Sequence, residues 1–434
     1  MSKKYSLLNY SLFLTISFLH LFPSLVQGNM LNKLSEYVEE KMQSDKIPGV
    51  AVAIVEDSKI VFVKGFGYRD LENKLPVTPE TLFHIGSNTK SMTALIVASL
   101  IDEGKADWDT PIIQYYSDFA LEDSKATELV TFRHLLSMRA GIPESAEDDL
   151  LEVTMAKDIF GIIENAEILG NPGDIFEYSN LSSAAAGYIA AILSGTSLDA
   201  LYEGYIQLIK QKVLNPIGMK TACVRASEAE KNPNYGKSYE LVQGKLEEAE
   251  TEDIDEDPLA PSGSLKASAS EMALYLTTLI NQGMAPNGNS VISTENVTET
   301  WKTYLEDYGM GFEKQHYNNI EIIGHEGSFD NYLSVFGFST ELNMGYFIIT
   351  NCENTSNDLI TEGPKYIVDL YISDREVSKG DVDGSETIDL KDIILVLQVS
   401  SGKKISLNMN ADVNQDGRIG IIEAIFGIKE IAGF

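Results

Sequence analysis

Thr81-Leu-Phe-His-Ile-Gly-Ser-Asn-Thr-Lys-Ser-Met-Thr-Ala-Leu-Ile-Val-Ala-Ser-Leu-Ile-Asp-Glu-Gly104 is the stretch on which the reading of this 434-residue chain turns. After Gly86, good helix formers and apolar residues recur at three and four spacing. That periodicity predicts a buried helix over residues 87–103, with Ser87 in its first turn. Ser87 and Lys90, three residues apart, then share one face. A serine hydroxyl is a weak nucleophile without a base beside it, and a lysine in a dry site gives up its proton and becomes that base. The free N–H groups of a helix start suit developing negative charge. Taken alone, the motif reads more simply as an N-cap serine beside a solvated lysine, so other stretches must decide.

The flanking chain supplies a frame. Leu31–Met42 is an amphipathic helix, and Val50–Glu56 with Lys59–Gly65 forms a hairpin about Asp57-Ser58. Helical patterns follow at residues 131–137, 158–169, 181–193, 198–213 and 268–281. Residues 226–258 are acidic and aperiodic and read as a solvated loop. Strand-like runs return at Tyr308–Phe312, Glu321–His325, Asn331–Phe338 and Met344–Thr350, before a last helix over residues 362–373. Strands at both ends with helices between predict an α/β (α+β) domain. Its antiparallel sheet is flanked by helices and joined to a helical lobe, with Ser87 at the seam.

Two further triplets carry candidate chemistry. Tyr178-Ser-Asn180 leads into a buried helix, and a phenol and a carboxamide two apart can both enter a cleft. Tyr178 suits accepting or relaying the serine proton where nearby cations lower its pKa, and Asn180 suits holding the lysine and the substrate. His325-Glu-Gly-Ser328 ends a strand run. His325 suits proton transfer to a leaving group or capture of a substrate carboxylate. Gly327 suits close approach of substrate, and the N–H of Ser328 with that of Ser87 suits an oxyanion hole. Alone, the tyrosine reads as packing and the histidine as a half-buried sheet residue. His84 and His134 read as structural partners and His316 as exposed. No G-x-S-x-G elbow is present.

In order, S-x-x-K, Y-x-N and H-x-G resemble the serine penicillin-recognising family of class C β-lactamases, D-alanyl-D-alanine carboxypeptidases, D-aminopeptidases and related esterases. Thr131-Phe-Arg-His-Leu-Leu-Ser137, Asn171–Asn180, Asn215-Pro-Ile-Gly-Met219 and Pro261-Ser-Gly-Ser264 extend the resemblance over residues 31–372. It implies an acyl-enzyme on Ser87, Lys90 and Tyr178 as the activating pair, Asn180 positioning substrate, and no cofactor for catalysis. His325 stands where true class C β-lactamases carry the lysine of K-T-G. That departure favours an ester or peptide substrate, D-amino-acid peptides among them, over a dedicated antibiotic-hydrolysing role. Ser137-Met-Arg-Ala-Gly141 and Glu326 also depart from the commoner pattern.

The end of the chain reads as a separate module over residues 379–432. One loop offers Asp381, Asp383, Ser385, Thr387 and Asp392; another offers Asp412, Asn414, Asp416, the carbonyl of Arg418, and Glu423. The second matches the oxygen spacing of a calcium loop, with Gly417 at its sixth position. The first departs, with Ser385 at position five and Glu386 where glycine is expected. The pair resembles a dockerin, which implies Ca2+ and a cohesin-like partner; a plain EF-hand pair and a pair of acidic turns are the alternatives.

Composition is globular, with 44% hydrophobic and 23% charged residues, and the formal net charge of -32 argues against nucleic acid or anionic lipid as partner. Lys3, Lys4 and the apolar run from Leu7 to Leu21 mark residues 1–28 as an export signal, with an uncleaved anchor as the alternative. No later stretch has the length and apolarity of a membrane span. Cys223 and Cys352 make no disulfide framework, although one bridge is open to them. The expected organisation is a signal over 1–28, a hydrolase over 29–373 and the calcium module over 379–432, in a secreted (periplasmic or extracellular) protein. A binder that traps an acyl group without turnover and a calcium-dependent scaffold component are the competing classes.

Overall fold

Asp57 and Ser58 both take positive φ (47° and 62°), closing the tight turn between β1 (Gly49–Glu56) and β2 (Lys59–Asp70). The computed structural model describes residues 25–152, 155–251, 254–353, 357–385, 387–403, 405 and 407–433. Most of the expected export signal (1–24) and Glu386 lie outside the described residues. The chain divides into two units, one of Val38–Lys365 and the other of the chain before it with Tyr366–Phe434.

In the first unit, β3 (Leu75–Pro76) follows the hairpin, and short two-stranded pairs form from β4 (Phe83–His84) with β7 (Lys266–Ala267) and from β5 (Tyr239–Val242) with β6 (Lys245–Glu248). Four strands close the domain: β8 (Glu313–Tyr317), β9 (Ile320–Phe329), β10 (Tyr332–Ser339) and β11 (Met344–Thr350). They join the first hairpin in one seven-stranded antiparallel sheet of order β3-β2-β1-β11-β10-β9-β8. Val50 pairs with Thr350, so the early and late strands of this unit meet in the middle of the sheet.

The helices include α1 (Leu25–Ser44), α2 (Thr89–Asp102), α3 (Phe132–Leu136), α4 (Asn180–Leu193), α5 (Leu201–Ile209), α6 (Ala269–Ile280), α7 (Gly363–Ser378), α8 (Leu390–Ser400) and α9 (Ile421–Ala432), with further short helices among them. α6 lies on the sheet across β1, β2, β10 and β11. Its start is fixed by Ser268 and Glu271, each bonding the other's backbone N–H. Glu271 also accepts from Thr221 and Ala222, so its buried carboxylate is fully satisfied. α2 is buried from Thr89 to Leu100 and packs on α3, α4 and α5. A helix apolar all round belongs at the centre of a fold, and this one joins sheet and helical lobe.

Three expectations change. Residues 226–258 contain the β5–β6 hairpin, anchored by buried Tyr239, whose hydroxyl accepts from Leu71 N at 2.8 Å. Tyr308–Phe312 is a loop held to Thr300 and Leu136, not a strand. The helix expected over 158–169 stops at Asn165, because Leu169 N is drawn out to Gly141 O at 2.9 Å. Cys223 and Cys352 are buried free thiols and form no bridge. Among the described residues no single helix is long and apolar enough to cross a membrane; only the bent pair Asn180–Leu193 and Leu198–Ile217 passes that test, and α4 is mostly core.

In the second unit Tyr37 stacks on Tyr366 at 3.9 Å, which places the unit boundary inside α7. The loops before α8 and α9 repeat one device. Asp392 accepts from the N–H of Val382 and Asp389; Glu423 accepts from Val413 and Gly420, the equivalent positions. Val382, Ile393, Val396, Ala411, Ile419 and Ala424 form a small core of their own.

Candidate active site

Ser87 lies in a 3-10 turn, Gly86–Asn88, immediately ahead of α2 rather than in its first α-helical turn. The turn is pinned from both sides. Asn88 Nδ2 donates to Ser334 Oγ at 2.7 Å, which donates on to Ile85 O at 2.9 Å, and Thr89 Oγ1 donates to Gly86 O at 2.7 Å. Gly86, Asn88, Thr89 and Lys90 are buried, while Ser87 keeps partial exposure. The hydroxyl is thus the accessible part of a rigid turn.

Lys90 Nζ is fully buried and meets three oxygens: Ser87 Oγ at 2.9 Å, Asn180 Oδ1 at 2.7 Å and Ser262 O at 3.0 Å. Burial pulls its pKa down to about 7, against the opposing pull of Glu147 and Glu313. A neutral amine has two N–H donors and one lone pair. The amide and carbonyl oxygens take the donors, which leaves the lone pair for the Ser87 hydroxyl.

Tyr178 hydrogen-bonds Ser87 through its hydroxyl, and its ring centroid lies 4.8 Å from Lys90 Nζ. Burial drives its pKa far up, the Ser87 bond offsets this in part, and Glu313, Glu147 and Glu144 raise it further. The expectation that cations depress this phenol is therefore reversed: its surroundings are dry and acidic, and it stays protonated. Asn180 opens α4, behind the N-cap Ser179. Its Oδ1 faces Lys90 because Nδ2 donates to Glu147 Oε2 at 2.9 Å; its backbone N–H donates to Glu147 Oε1 at 2.6 Å.

His325 is buried on β9. Its Nδ1 meets Glu326 O, and its Nε2 lies 2.9 Å from Tyr308 Oη. A carbonyl only accepts, so Nδ1 carries the proton and Nε2 accepts from the phenol. Burial, then the Lys90 charge, pull the pKa down to about 3. Its surroundings therefore favour the neutral imidazole. The Glu326 side chain is exposed, as alternation along the strand directs.

At Gly327 a Cβ would lie 2.1 Å from Ile85 O, so the bare Cα admits the serine turn. Ser328 follows against Gly86, whose missing Cβ would lie 2.6 Å from Ser328 N. The backbones of 85–87 and 327–328 thus touch with no side chain between. His84 stacks on Phe329 at 4.1 Å, and His134 sits on its cap Thr131.

Ser87, Lys90, Tyr178, Asn180 and His325 are therefore brought together. Sequence reasoning missed Glu147, Tyr308 and Glu313, and it read Ser262 only within the family-like stretch Pro261–Ser264. Ser262 both accepts from Lys90 and donates its hydroxyl to Asn180 O at 2.5 Å. The metal candidates lie in the other unit. There Asp381, Asp383 and Asp392 bring carboxylate oxygens within 4.8 Å of one another, and Asp383 pairs with Lys391. Among the described residues, the carboxylates that cluster this closely are those of the first loop.

This turn, buried amine and phenol, set between sheet and helical lobe, define the fold and site of a large family. A sequence model of the beta-lactamase family matches residues 34–365, and the chain belongs to that family. It is 28% identical over 346 residues to an unguisins hydrolase of Aspergillus campestris, covering 74% of this chain and 61% of that one. It is 24% identical over 327 residues to Protein flp of Staphylococcus aureus, covering 74% and 62%. The chain thus spans about three fifths of the length of these curated relatives. Among solved structures it is similar to the octameric penicillin-binding protein homologue from Pyrococcus abyssi, with TM-score 0.67, 28% identity and coverage of 78% and 77%. It shares its fold with D-amino acid amidase from Ochrobactrum anthropi SV3, with TM-score 0.65, 21% identity and coverage of 80% and 99%.

Proposed function

We propose that this protein is an exported serine hydrolase that cleaves an amide or ester through an acyl-enzyme on Ser87. The observation that carries the reading is the fully buried Lys90 amine, 2.9 Å from Ser87 Oγ. Neutral Lys90 takes the Ser87 proton as Oγ bonds the substrate carbonyl carbon. The N–H groups of Ser87 and Ser328 receive the oxyanion. As the carbon–leaving-group bond breaks, Tyr178 hands its proton to the departing nitrogen or oxygen and is reprotonated from Lys90. Water enters the vacated place, and the same groups run in reverse to release the acid. Asn180 holds Lys90 and the acyl side of the substrate, and His325 with Tyr308 forms the neutral wall opposite.

The penicillin-binding and amidase neighbours favour the amide side of this reading: a D-amino-acid peptide, as in a D-alanyl-D-alanine carboxypeptidase, or a β-lactam ring. Incubation with a fluorophosphonate and with a penicillin, followed by intact mass and peptide mapping, tests it. One adduct on Ser87, lost in Ser87→Ala, is expected. Absence of any adduct at Ser87 would overturn the reading, and a stable penicillin adduct without turnover would favour a trapping protein. Rates on short esters, D-Ala-terminated peptides, D-amino-acid amides and a cephalosporin then rank the substrate classes.

The second unit supports a reading of its own: a dockerin-like calcium module that docks a partner such as a cohesin. Asp381, Asp383 and Asp392 would hold one ion, with Ser385 and Thr387 beside them. Asp412, Asn414, Asp416, the Arg418 carbonyl and Glu423 would hold another. Asp412 Oδ1 is buried with no hydrogen-bond partner among the described residues, as an oxygen reserved for a cation would be. Leu390, Ile394 and Leu397 on α8 and Ile421, Ile425 and Ile428 on α9 are exposed at helical spacing, which suits a docking face. Chelation is expected to melt residues 379–432 while hydrolysis by the main domain continues. Unchanged melting on chelation, followed by calorimetry and hydrogen exchange, would remove the calcium reading.

A further inference from the structure

Asn180 presents its carbonyl oxygen, not its NH2, to the catalytic amine, and an amide has no intrinsic preference between the two. A carboxylate decides the matter, because it only accepts. Glu147 Oε1 takes the Asn180 backbone N–H at 2.6 Å and Oε2 takes Nδ2 at 2.9 Å, so one ionised group spans the first turn of α4 and the side chain projecting from it. The 3-10 segment carrying Glu147, Glu144–Glu152, is docked by buried Ala146 and by the N–H of Glu144 on Glu177 Oε1 at 3.2 Å, next to the Tyr178 loop. Against solvent such a carboxylate would be worth little; here both oxygens are committed to one residue of the site.

We propose that Glu147 is a positioning residue for acyl transfer: it fixes the Asn180 amide so that Oδ1 accepts from Lys90 Nζ. The proposal rests on the Ser87 acyl-enzyme reading. The titratable groups facing Lys90 are Tyr178 from the loop before α4, Glu147 from the 3-10 segment, Glu313 from β8 and His325 from β9, with Tyr308 behind His325 and Glu144 bearing on Tyr178. Tyr178 and His325 are neutral, so the acids acting on the amine are Glu147 and Glu313, the latter pushed up to about 7 by burial and Glu326.

A glutamine at this position keeps the shape but offers one acceptor and one NH2. Either the α4 N–H or Asn180 Nδ2 then loses its partner, or the Asn180 amide turns over and points NH2 at Lys90. Glu147→Gln is expected to lower the rate of Ser87 phosphonylation by about 10- to 100-fold. Loss of the negative charge makes the protonated amine less stable, so the ascending limb of the pH–rate profile moves to lower pH. Glu147→Asp, which keeps the charge and reaches one donor, restores the limb and part of the rate. In an Asn180→Ala background, Glu147→Gln is expected to cost no more than about twofold, because its path runs through Asn180.

The experiment measures fluorophosphonate rates against pH for the full-length wild type, both Glu147 variants, Asn180→Ala and the double variant. Alongside, the Lys90 15Nζ signal is titrated in protein labelled at lysine. A wild-type rate and limb in Glu147→Gln would overturn the proposal, as would an equal loss in the Asn180→Ala background. If the wild type fails to label, the acyl-enzyme reading falls, and the 15Nζ titration still decides whether Glu147 governs Lys90.

Discussion

Lys90→Met lowers kcat/KM by about 10³- to 10⁴-fold, the contribution of a positioned general base, and leaves the fold in place. Methionine fills the volume of the lysine stem without an amine, so the core around α2 closes on a similar shape and the expected stability change is about 1 kcal/mol or less. Lys90→Ala gives the same kinetic loss with a larger fall in Tm, since it leaves a hole beside Asn180 and Ser262. The pH dependence identifies the cause. Lys90 must be unprotonated to take the Ser87 proton, and its pKa lies at about 7. Log kcat/KM in the wild type therefore rises with pH up to about 7 and then levels. Glu313 is the rival source of such a limb, because burial and then the nearby Glu326 push its pKa up to about 7 as well. In Lys90→Met the limb disappears; in Glu313→Gln it remains and moves to lower pH, since an anion that favours the ammonium is gone. A limb that survives in Lys90→Met would assign the base elsewhere.

That titration depends on residues far apart in the chain, and here sequence reading had its limit. Three-residue spacing puts Ser87 and Lys90 on one helix face, but that they form one site with Tyr178, Asn180 and His325 was legible through the ordered resemblance of S-x-x-K, Y-x-N and H-x-G to the penicillin-recognising family. The single sheet was legible because strands at both ends must pair to bury the apolar faces of β1, β10 and β11. β8 was missed because Glu-Lys-Gln-His-Tyr is a polar edge strand with no apolar alternation to read. The direction of the Tyr178 shift was missed because it follows from burial and from Glu313, Glu147 and Glu144, on two elements that local pattern does not connect to it. Glu147 reads in sequence as one acid among several on a loop; its partner is 33 residues away.

Gly86→Ala is the second large effect, and it tests the oxyanion site without touching a reacting side chain. Gly86 has φ of +52°, and a Cβ would lie 2.6 Å from both the N and the O of Ser328. Left-handed backbone costs an alanine about 1–2 kcal/mol wherever it occurs. Gly104, at φ of +69° with nothing within 4 Å of its Cβ position, isolates that cost. Gly104→Ala is expected to lower stability by about 1 kcal/mol and leave kcat unchanged. At Gly86 the methyl must also move β9, and the backbone there has nowhere to yield: on the other side of the contact Gly327 lies directly under Ile85 O. In the proposed mechanism the Ser328 N–H is then carried away from the Ser87 N–H, and the two donors assigned to the oxyanion no longer converge on one oxygen. Loss of one such donor costs about 10²- to 10³-fold in kcat. The expected pattern is a kcat loss of that size with KM little changed, and a fall in Tm larger than that of Gly104→Ala. If both alanine variants lost only stability, the contact between the serine turn and β9 would be a packing feature, and the oxyanion would have to be held by Ser87 N with a donor other than Ser328.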